Sequence, residues 1–357
     1  MAYITLDRAK LKHNYNFLNE TFKENGIEWA VVSKILCGNR LFLEELLSLG
    51  VREVCDSRIE NLKIIKEINP DVQTVFIKPP VPGHIEEIVR YADVTFNSET
   101  ETIRLLSEEA VRQNKTHKIT IMIELGDLRE GIMGDHLLEF YDAVFKLPNI
   151  EVTSIGSNLN CLHGVMPSED KMIILCLYKQ LLESKFNRSI PWVTGGTSVV
   201  FPMLLKKLVP KGINHFRVGE ALYFGNNLFE DGAPVEGMEQ QIFTLYAEII
   251  EITKKPKVPT GTLGANPSGE MLTIDADDYG KESYRAILDL GLLDINPNYL
   301  HPLDKNIEII SASSDMLVID LGDNEANLNI GDTLSFSLDY MGALQLFNSD
   351  YIGKELV

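Results

Sequence analysis

Lys34 stands inside an apolar stretch, VVSKILCGN (31–39). An ammonium group there costs on the order of several kcal/mol unless it is paired, neutralised or put to use. Short polar and glycine-rich motifs recur further on: DSR (56–58), GDLREG (126–131), SNLNC (157–161), TGGTS (194–198) and RVGE (217–220). A lysine amine whose site lowers its pKa can condense with an aldehyde, and glycines let backbone N–H groups close on an anion. Lysine and phosphate cradle together point to pyridoxal phosphate, whose ring acts as an electron sink. Each motif taken singly has a plainer reading: a strand-end lysine that snorkels, glycines that mark tight turns, and ion pairs for Arg129 and Arg217.

The weight of these motifs comes from the elements between them. Short β-branched runs alternate with longer segments of helical period, starting with AVVSK and NRLFLEELLSLG, VREVCDS and RIENLKIIKEI, TVFIKPP and GHIEEIVRY. DVTFNS, KITIMIELG, VTSIGSNL, WVTGGTS and NHFRVGEALYFG continue the strands to a total of eight. Eight βα units in about 200 residues predict a closed parallel (β/α)8 TIM barrel, in which catalytic groups follow the C-terminal ends of strands. Lys34 then ends the first barrel strand. TGGTS and RVGE fall at the seventh and eighth, where barrels build phosphate sites.

From about Gly237 the pattern changes to period two in QIFTLYAEIIEITK, GEMLTIDAD, YRAILDLGLLDI, IEIISASSDMLVIDL and GDTLSFSLDY, with no long helix between them. The barrel is therefore assigned residues 1–236 and an antiparallel C-terminal β-domain residues 237–357, with the opening YITLD open to either. TKKPKVPTGTLGANPSG reads as a mobile loop.

Composition narrows the function classes. The 357 residues include 45% hydrophobic ones, and the net charge of −19 is spread without a basic stripe, which works against binding nucleic acid. No apolar run reaches the roughly 18 residues of a membrane span, and MAYITLDRAKLKHN carries no export pattern. Cys37, Cys55, Cys161 and Cys176 form no CxxC pair and no metal-ligand spacing, so reduced thiols in a cytoplasmic protein are expected, and no metal.

VVSK, CDSRIENLK, YADVTFNSETETIRLLSEEA, IMIELGDLREGI, GSNLNCLHGV, GGTS, INHFRVGEALYFG, AEIIEITKKPKVPTG, RAILDLGLLDI and ASSDMLVIDL stand in an order and spacing that span nearly the whole chain. In them the chain resembles the fold-type III pyridoxal-phosphate enzymes of the alanine racemase type, and among these the ornithine racemase-like branch. The resemblance implies a barrel carrying pyridoxal 5'-phosphate, a C-terminal β-domain and a head-to-tail homodimer that shares its active sites. It implies racemisation of a free amino acid of the ornithine, lysine or alanine kind, by removal and return of the α-proton. By the same resemblance Lys34 is the Schiff-base lysine and a proton-transfer base, and Arg129 lies near the cofactor's phenolic oxygen. Ser198 with the backbone of Gly219 and Glu220 forms the phosphate cradle. Arg217 faces the pyridine nitrogen, Asn158 contacts the ring, and Asp315 lies near the partner's substrate site.

Three departures stand out. Leu292 takes the place of the tyrosine that serves alanine racemases as second base, and Met316 stands where ornithine racemase-like chains have histidine. Tyr279, Tyr284 and Cys161 are candidate replacements. Gly38 takes the place of a phosphate-binding tyrosine, with Tyr351 as the candidate contact. A decarboxylase or aldolase of the same fold needs no second base, and a pyridoxal-phosphate-binding protein without chemistry needs only Lys34; both stay open on the residues alone.

Overall fold

The computed structural model of the protein describes residues 2–228, 232–265, 269 and 271–357. The chain divides into two compact units, one of Asp7–Ile242 and the other of Phe243–Val357 with the segment up to Leu6.

The first unit follows β1 (Tyr3–Leu6) and opens with α1 (Arg8–Glu24), which Asp7 caps by accepting from the Lys10 N–H. Leu11, Tyr15, Leu18 and Phe22 recur at helical spacing on its buried face. The parallel strands are β2 (Glu28–Val32), β3 (Glu53–Asp56), β4 (Gln73–Phe76), β5 (Val94–Asn97), β6 (His117–Met122), β7 (Ile150–Gly156), β8 (Trp192–Thr194), β9 (Gly196–Thr197) and β10 (His215–Val218). Between them run α2 (Arg40–Ser48), α3 (Ile59–Ile68), α4 (Ile85–Tyr91), α5 (Thr100–Arg112), α6 (Leu137–Val144), α7 (Glu169–Phe186) and α8 (Phe201–Leu205), and α9 (Glu220–Phe224) follows β10.

The strand order is β8-β7-β6-β5-β4-β3-β2-β10-β9. β8 and β9 are halves of one segment that pairs with β7 through its first half and with β10 through its second, so the expected eight-stranded barrel closes there. A Cβ on Gly196 would lie 2.2 Å from the Phe216 ring. Gly196 of TGGTS is therefore required by this close packing. Inside the barrel Ala30, Cys55, Val75, Val94, Phe96 and Met122 form the core.

Gly237–Ile242, expected in the β-domain, stay with the barrel because Asn14 of α1 holds them: its amide donates to the Leu222 and Glu239 carbonyls, and its Oδ1 accepts from the Glu239 N–H at 2.7 Å. A two-stranded ribbon, β11 (Asn226–Asn227) with β12 (Ala233–Pro234), precedes them.

The second unit contains β13 (Phe243–Pro256), β14 (Glu282–Leu288), β15 (Leu300–Pro302), β16 (Glu308–Ala312), β17 (Leu317–Asp320), β18 (Thr333–Leu338), α10 (Tyr340–Asn348) and β19 (Gly353–Leu356). Its sheet runs β15-β18-β13-β14-β17-β16, and β1 pairs with β13 and β19. Several expectations are corrected here. β13 continues through Pro256, paired to Glu282, so the stretch expected as a loop begins as strand; residues 266–268 of it lie outside the described residues. The described part of GEMLTIDAD is not a strand, and its Met271 and Leu272 are exposed. IEIISASSDMLVIDL is a hairpin, since Ser313 donates its N–H to the Met316 carbonyl and turns the chain at SSDM. The segment after GDTLSFSL forms α10.

His117, buried at the start of β6, meets the Thr95 hydroxyl at 3.0 Å. Burial, with the Lys115 charge adding to it, pushes the imidazole down to about 4. The unfolded chain then takes up a proton near pH 6.5 that the folded chain refuses until about pH 4. Stability is expected to fall across that window, by on the order of 3 kcal/mol. Denaturant unfolding of the wild type and His117→Asn between these pH values checks this, with a flatter profile expected of the variant.

Candidate active site

At the C-terminal end of β2 the buried Ser33 hydroxyl donates to Asp56 Oδ2 at 2.8 Å. Asp56, buried at the end of β3, also accepts from the Arg58 N–H and from Asn61 Nδ2, both at 3.0 Å. Burial raises its carboxyl above the usual range. Lys34 follows in a single 3-10 turn, Lys34–Leu36, anchored by buried Ile35 and Leu36. The expectation of a lysine sunk among apolar groups is corrected: the backbone runs through apolar neighbours, but the side chain is exposed beyond them. Cys37 and Gly38 then turn left-handed, at φ 47° and 75°. A Cβ on Gly38 would lie 2.5 Å from Asn61 Oδ1. Asn61, held by Asp56, thus occupies the space that a side chain at position 38 would need.

Arg217 points from β10 into the barrel and is 5% exposed. Its Nε donates to Thr194 Oγ1 at 3.0 Å, Nη2 to the Ser157 and Thr194 carbonyls at 2.6 and 3.1 Å, and Nη1 to Asn158 Oδ1 at 2.7 Å. The guanidinium stacks over the Phe96 ring with 5.0 Å to its centroid. Four of its five N–H groups are thereby engaged among the described residues, which leaves one on Nη1 to donate elsewhere. Asn158, half-buried after β7, donates from Nδ2 to Glu130 Oε1. The same carboxylate accepts from Arg129, through Nη2 at 2.8 Å and through Nε. Arg129, Asn158 and Arg217, named from three separate motifs, are one hydrogen-bonded chain, and Glu130 is its missing link.

A second carboxylate fixes the loop that carries Asn158. Asp127 is buried and accepts four backbone N–H groups, from Cys161, Leu162, His163 and Val165, at 2.9 to 3.2 Å. Burial alone would raise this carboxyl, but the four donors outweigh it and hold it below the usual range.

Beyond β9, Ser198 Oγ accepts from the Gly219 and Ala221 N–H groups at 3.3 and 3.2 Å, joining the loop after β9 to the start of α9 at Glu220. Gly219 is closely packed, since a Cβ there would lie 3.1 Å from Val32 Cβ. The buried hydroxyls of Thr197 and Ser157 have no hydrogen-bond partner among the described residues. Asp315 and Tyr351 belong to the other unit. Asp315 is exposed and accepts from the Ser314 hydroxyl at 2.8 Å, and Tyr351 is 84% exposed. Leu292 donates its N–H to the Ser313 carbonyl, so the two positions that depart from the racemase pattern, Leu292 and Met316, lie on adjoining turns and are both exposed.

Sequence reasoning missed Glu130, Asp127, Asp56, Thr194 and Thr197. Asp56 and Asp127 had a signal in their place, an acid inside a strand-end motif. Glu130 had none, because an acid next to an arginine in a loop reads as a solvated pair. Among the described residues no group of three or more His, Cys, Asp or Glu is placed to hold a metal ion, and no helix is long and apolar enough to cross a membrane. No disulfide joins the four cysteines.

Residues 6–227 match the alanine racemase N-terminal domain. The chain is 36% identical over 355 residues to an ornithine racemase of Acetoanaerobium sticklandii, covering 99% of each. It is 29% identical over 351 residues to a lysine racemase of Thermotoga maritima, covering 98% of this chain and 97% of the relative. The solved alanine racemase of Bartonella henselae, which carries covalently bound pyridoxal phosphate, superposes with a TM-score of 0.72 at 14% identity, over 100% of this chain and 99% of that one. With a family match over more than half its length and a relative aligned end to end, the chain belongs to the alanine racemase family.

Proposed function

We propose that this protein is a pyridoxal-phosphate-dependent racemase of a free amino acid with a basic side chain, ornithine or lysine. The observation that carries the reading is the end-to-end match to an ornithine racemase and a lysine racemase, which bears out the racemase expected from the sequence. The residues present fit the cofactor. The Ser198 hydroxyl, which accepts from the Gly219 and Ala221 N–H groups and keeps its own proton, and the orphaned Thr197 hydroxyl next to it in the chain offer donors for a phosphate. Arg217 keeps one N–H for a ring nitrogen.

The cofactor, when bound, supplies an aldehyde for the amino-acid nitrogen and a ring that draws electrons from the α-carbon. Lys34 would hold the cofactor through Nζ and, when substrate takes its place, would take or return the α-proton at that atom. Ser198, the backbone of Gly219 and Glu220, and Tyr351 hold the phosphate. Asn158 would contact the ring, and Arg129 would serve its phenolic oxygen. Arg217 would donate to the pyridine nitrogen without giving up its proton. Held in this way by Arg217, the ring nitrogen would stay unprotonated, which would favour return of the proton over transamination.

In the same reading the protein is cytoplasmic and acts as a head-to-tail homodimer, with Asp315 reaching the partner's substrate site. Verified heterodimers of Lys34→Ala and Asp315→Ala are expected to regain up to about half of wild-type activity, since one of their two sites is intact. No regain would count against shared sites. The function itself is tested by incubating the protein and pyridoxal phosphate with L-ornithine or L-lysine in deuterated water. Deuterium is expected at the α-carbon, and its absence with both amino acids would remove the proposal.

A further inference from the structure

We propose that Glu130 is a positioning residue that makes Arg129 and Arg217 a single unit, by fixing the direction of every hydrogen bond between them. Arginine can only donate, and a carboxylate can only accept. Arg217 Nη1 meets Asn158 Oδ1 at 2.7 Å, so the amide oxygen must face Arg217 and the amide NH2 must face away. What the NH2 meets is Glu130 Oε1, which needs a donor. The same carboxylate takes both bonds from Arg129. The polarity runs without conflict from one arginine to the other, and the amide has one allowed orientation. One carboxylate serves two guanidinium groups, Arg129 directly and Arg217 through Asn158, so these three groups keep one net positive charge. The Glu130 side chain is 12% exposed, which gives the pairing more weight than a surface ion pair has.

This inference rests on the proposed function for its chemical consequence: Arg129 is held with its charge half-offset beside the cofactor's phenolic oxygen, and Asn158 is held against the ring. Its physical content belongs to the apo protein and does not depend on that reading.

The direction of the bonds predicts how two isosteric substitutions combine. Glu130→Gln can still accept from Asn158, but its NH2 then opposes the Arg129 Nε–H, and the charge that paired Arg129 is gone. Asn158→Asp puts a second carboxylate against Glu130, with no proton between them and both groups largely out of water. In the double variant the amide introduced at position 130 donates to the new carboxylate at position 158, which accepts from Arg217 as the asparagine oxygen did. Glu130→Gln is thus expected to be harmful in the wild type and restorative in Asn158→Asp.

The test is this four-member cycle, read in two ways. In the apo protein each single substitution should lower the thermal midpoint by about 2 °C or more, and the double variant should lie above Asn158→Asp. In protein loaded with pyridoxal phosphate, Glu130→Gln leaves the Arg129 charge uncompensated. The pH midpoint of the cofactor's visible band should fall by about one unit, where a merely structural substitution would leave it in place. Additive losses in the apo cycle overturn the proposal, as does an unmoved midpoint in loaded Glu130→Gln. If the wild type binds no pyridoxal phosphate, the proposed function fails and the apo cycle alone decides for or against the role of Glu130.

Discussion

Lys34→Ala is expected to reduce amino-acid turnover by at least about a thousandfold and to leave the protein unable to hold pyridoxal phosphate covalently. Lys34 follows β2 directly, on a turn pinned by Ser33, Asp56 and Asn61. Its exposed side chain contributes little to the core. The variant should therefore fold with a thermal midpoint close to the wild type, so the loss can be assigned to chemistry. Purified wild-type protein is expected to be yellow with cofactor and the variant colourless. Borohydride reduction and peptide mapping should place the cofactor on Lys34. A tag on any other lysine would contradict the assignment.

Arg217→Glu is expected to cost both stability and reaction type. The native guanidinium satisfies three oxygen acceptors from the loop after β7 and the end of β8, and the Thr194 hydroxyl as well. A carboxylate in its place faces those oxygens with no proton to offer. Removing one partner of a buried charged network in this way costs about 3–5 kcal/mol. The denaturant midpoint of the apo variant should fall accordingly, and an unchanged midpoint would contradict the observed network. In whatever fraction folds and binds cofactor, a carboxylate opposite the ring nitrogen favours the protonated ring and a deeper electron sink. Racemisation should slow while keto acid from transamination accumulates. Absence of keto acid in a loaded variant that still turns over would refute the proposed role of Arg217.

Much of the fold was legible because barrel strands and helices differ in period, so each of the eight strands announced itself locally. The end of the first strand located Lys34, and the order of the later motifs located Arg129, Asn158, Ser198 and Arg217. Their connection was not legible. Glu130 acts across the loops after β6 and β7, and Asp127 binds four N–H groups more than thirty residues away. Contacts of that separation leave no local period. Gly196, read from its motif for its N–H groups, is required by the Phe216 ring as well, a packing need that left no sequence signal. In the β-domain, SSDM looked like strand interior until the Ser313–Met316 bond turned it into a hairpin tip. Asp315 and Tyr351 rest on family resemblance alone, and both are exposed on their own unit.

The most direct measurement of the central claim is chiral chromatography of ornithine and lysine after incubation with the purified, cofactor-loaded protein, started separately from the L and the D enantiomer. At least one of the two amino acids should reach the same equal mixture from both directions, Lys34→Ala should leave each enantiomer unchanged, and no other product should accumulate. Unchanged enantiomers of both amino acids with fully loaded wild-type protein, or conversion to an amine or a keto acid in place of the mirror image, would contradict that claim.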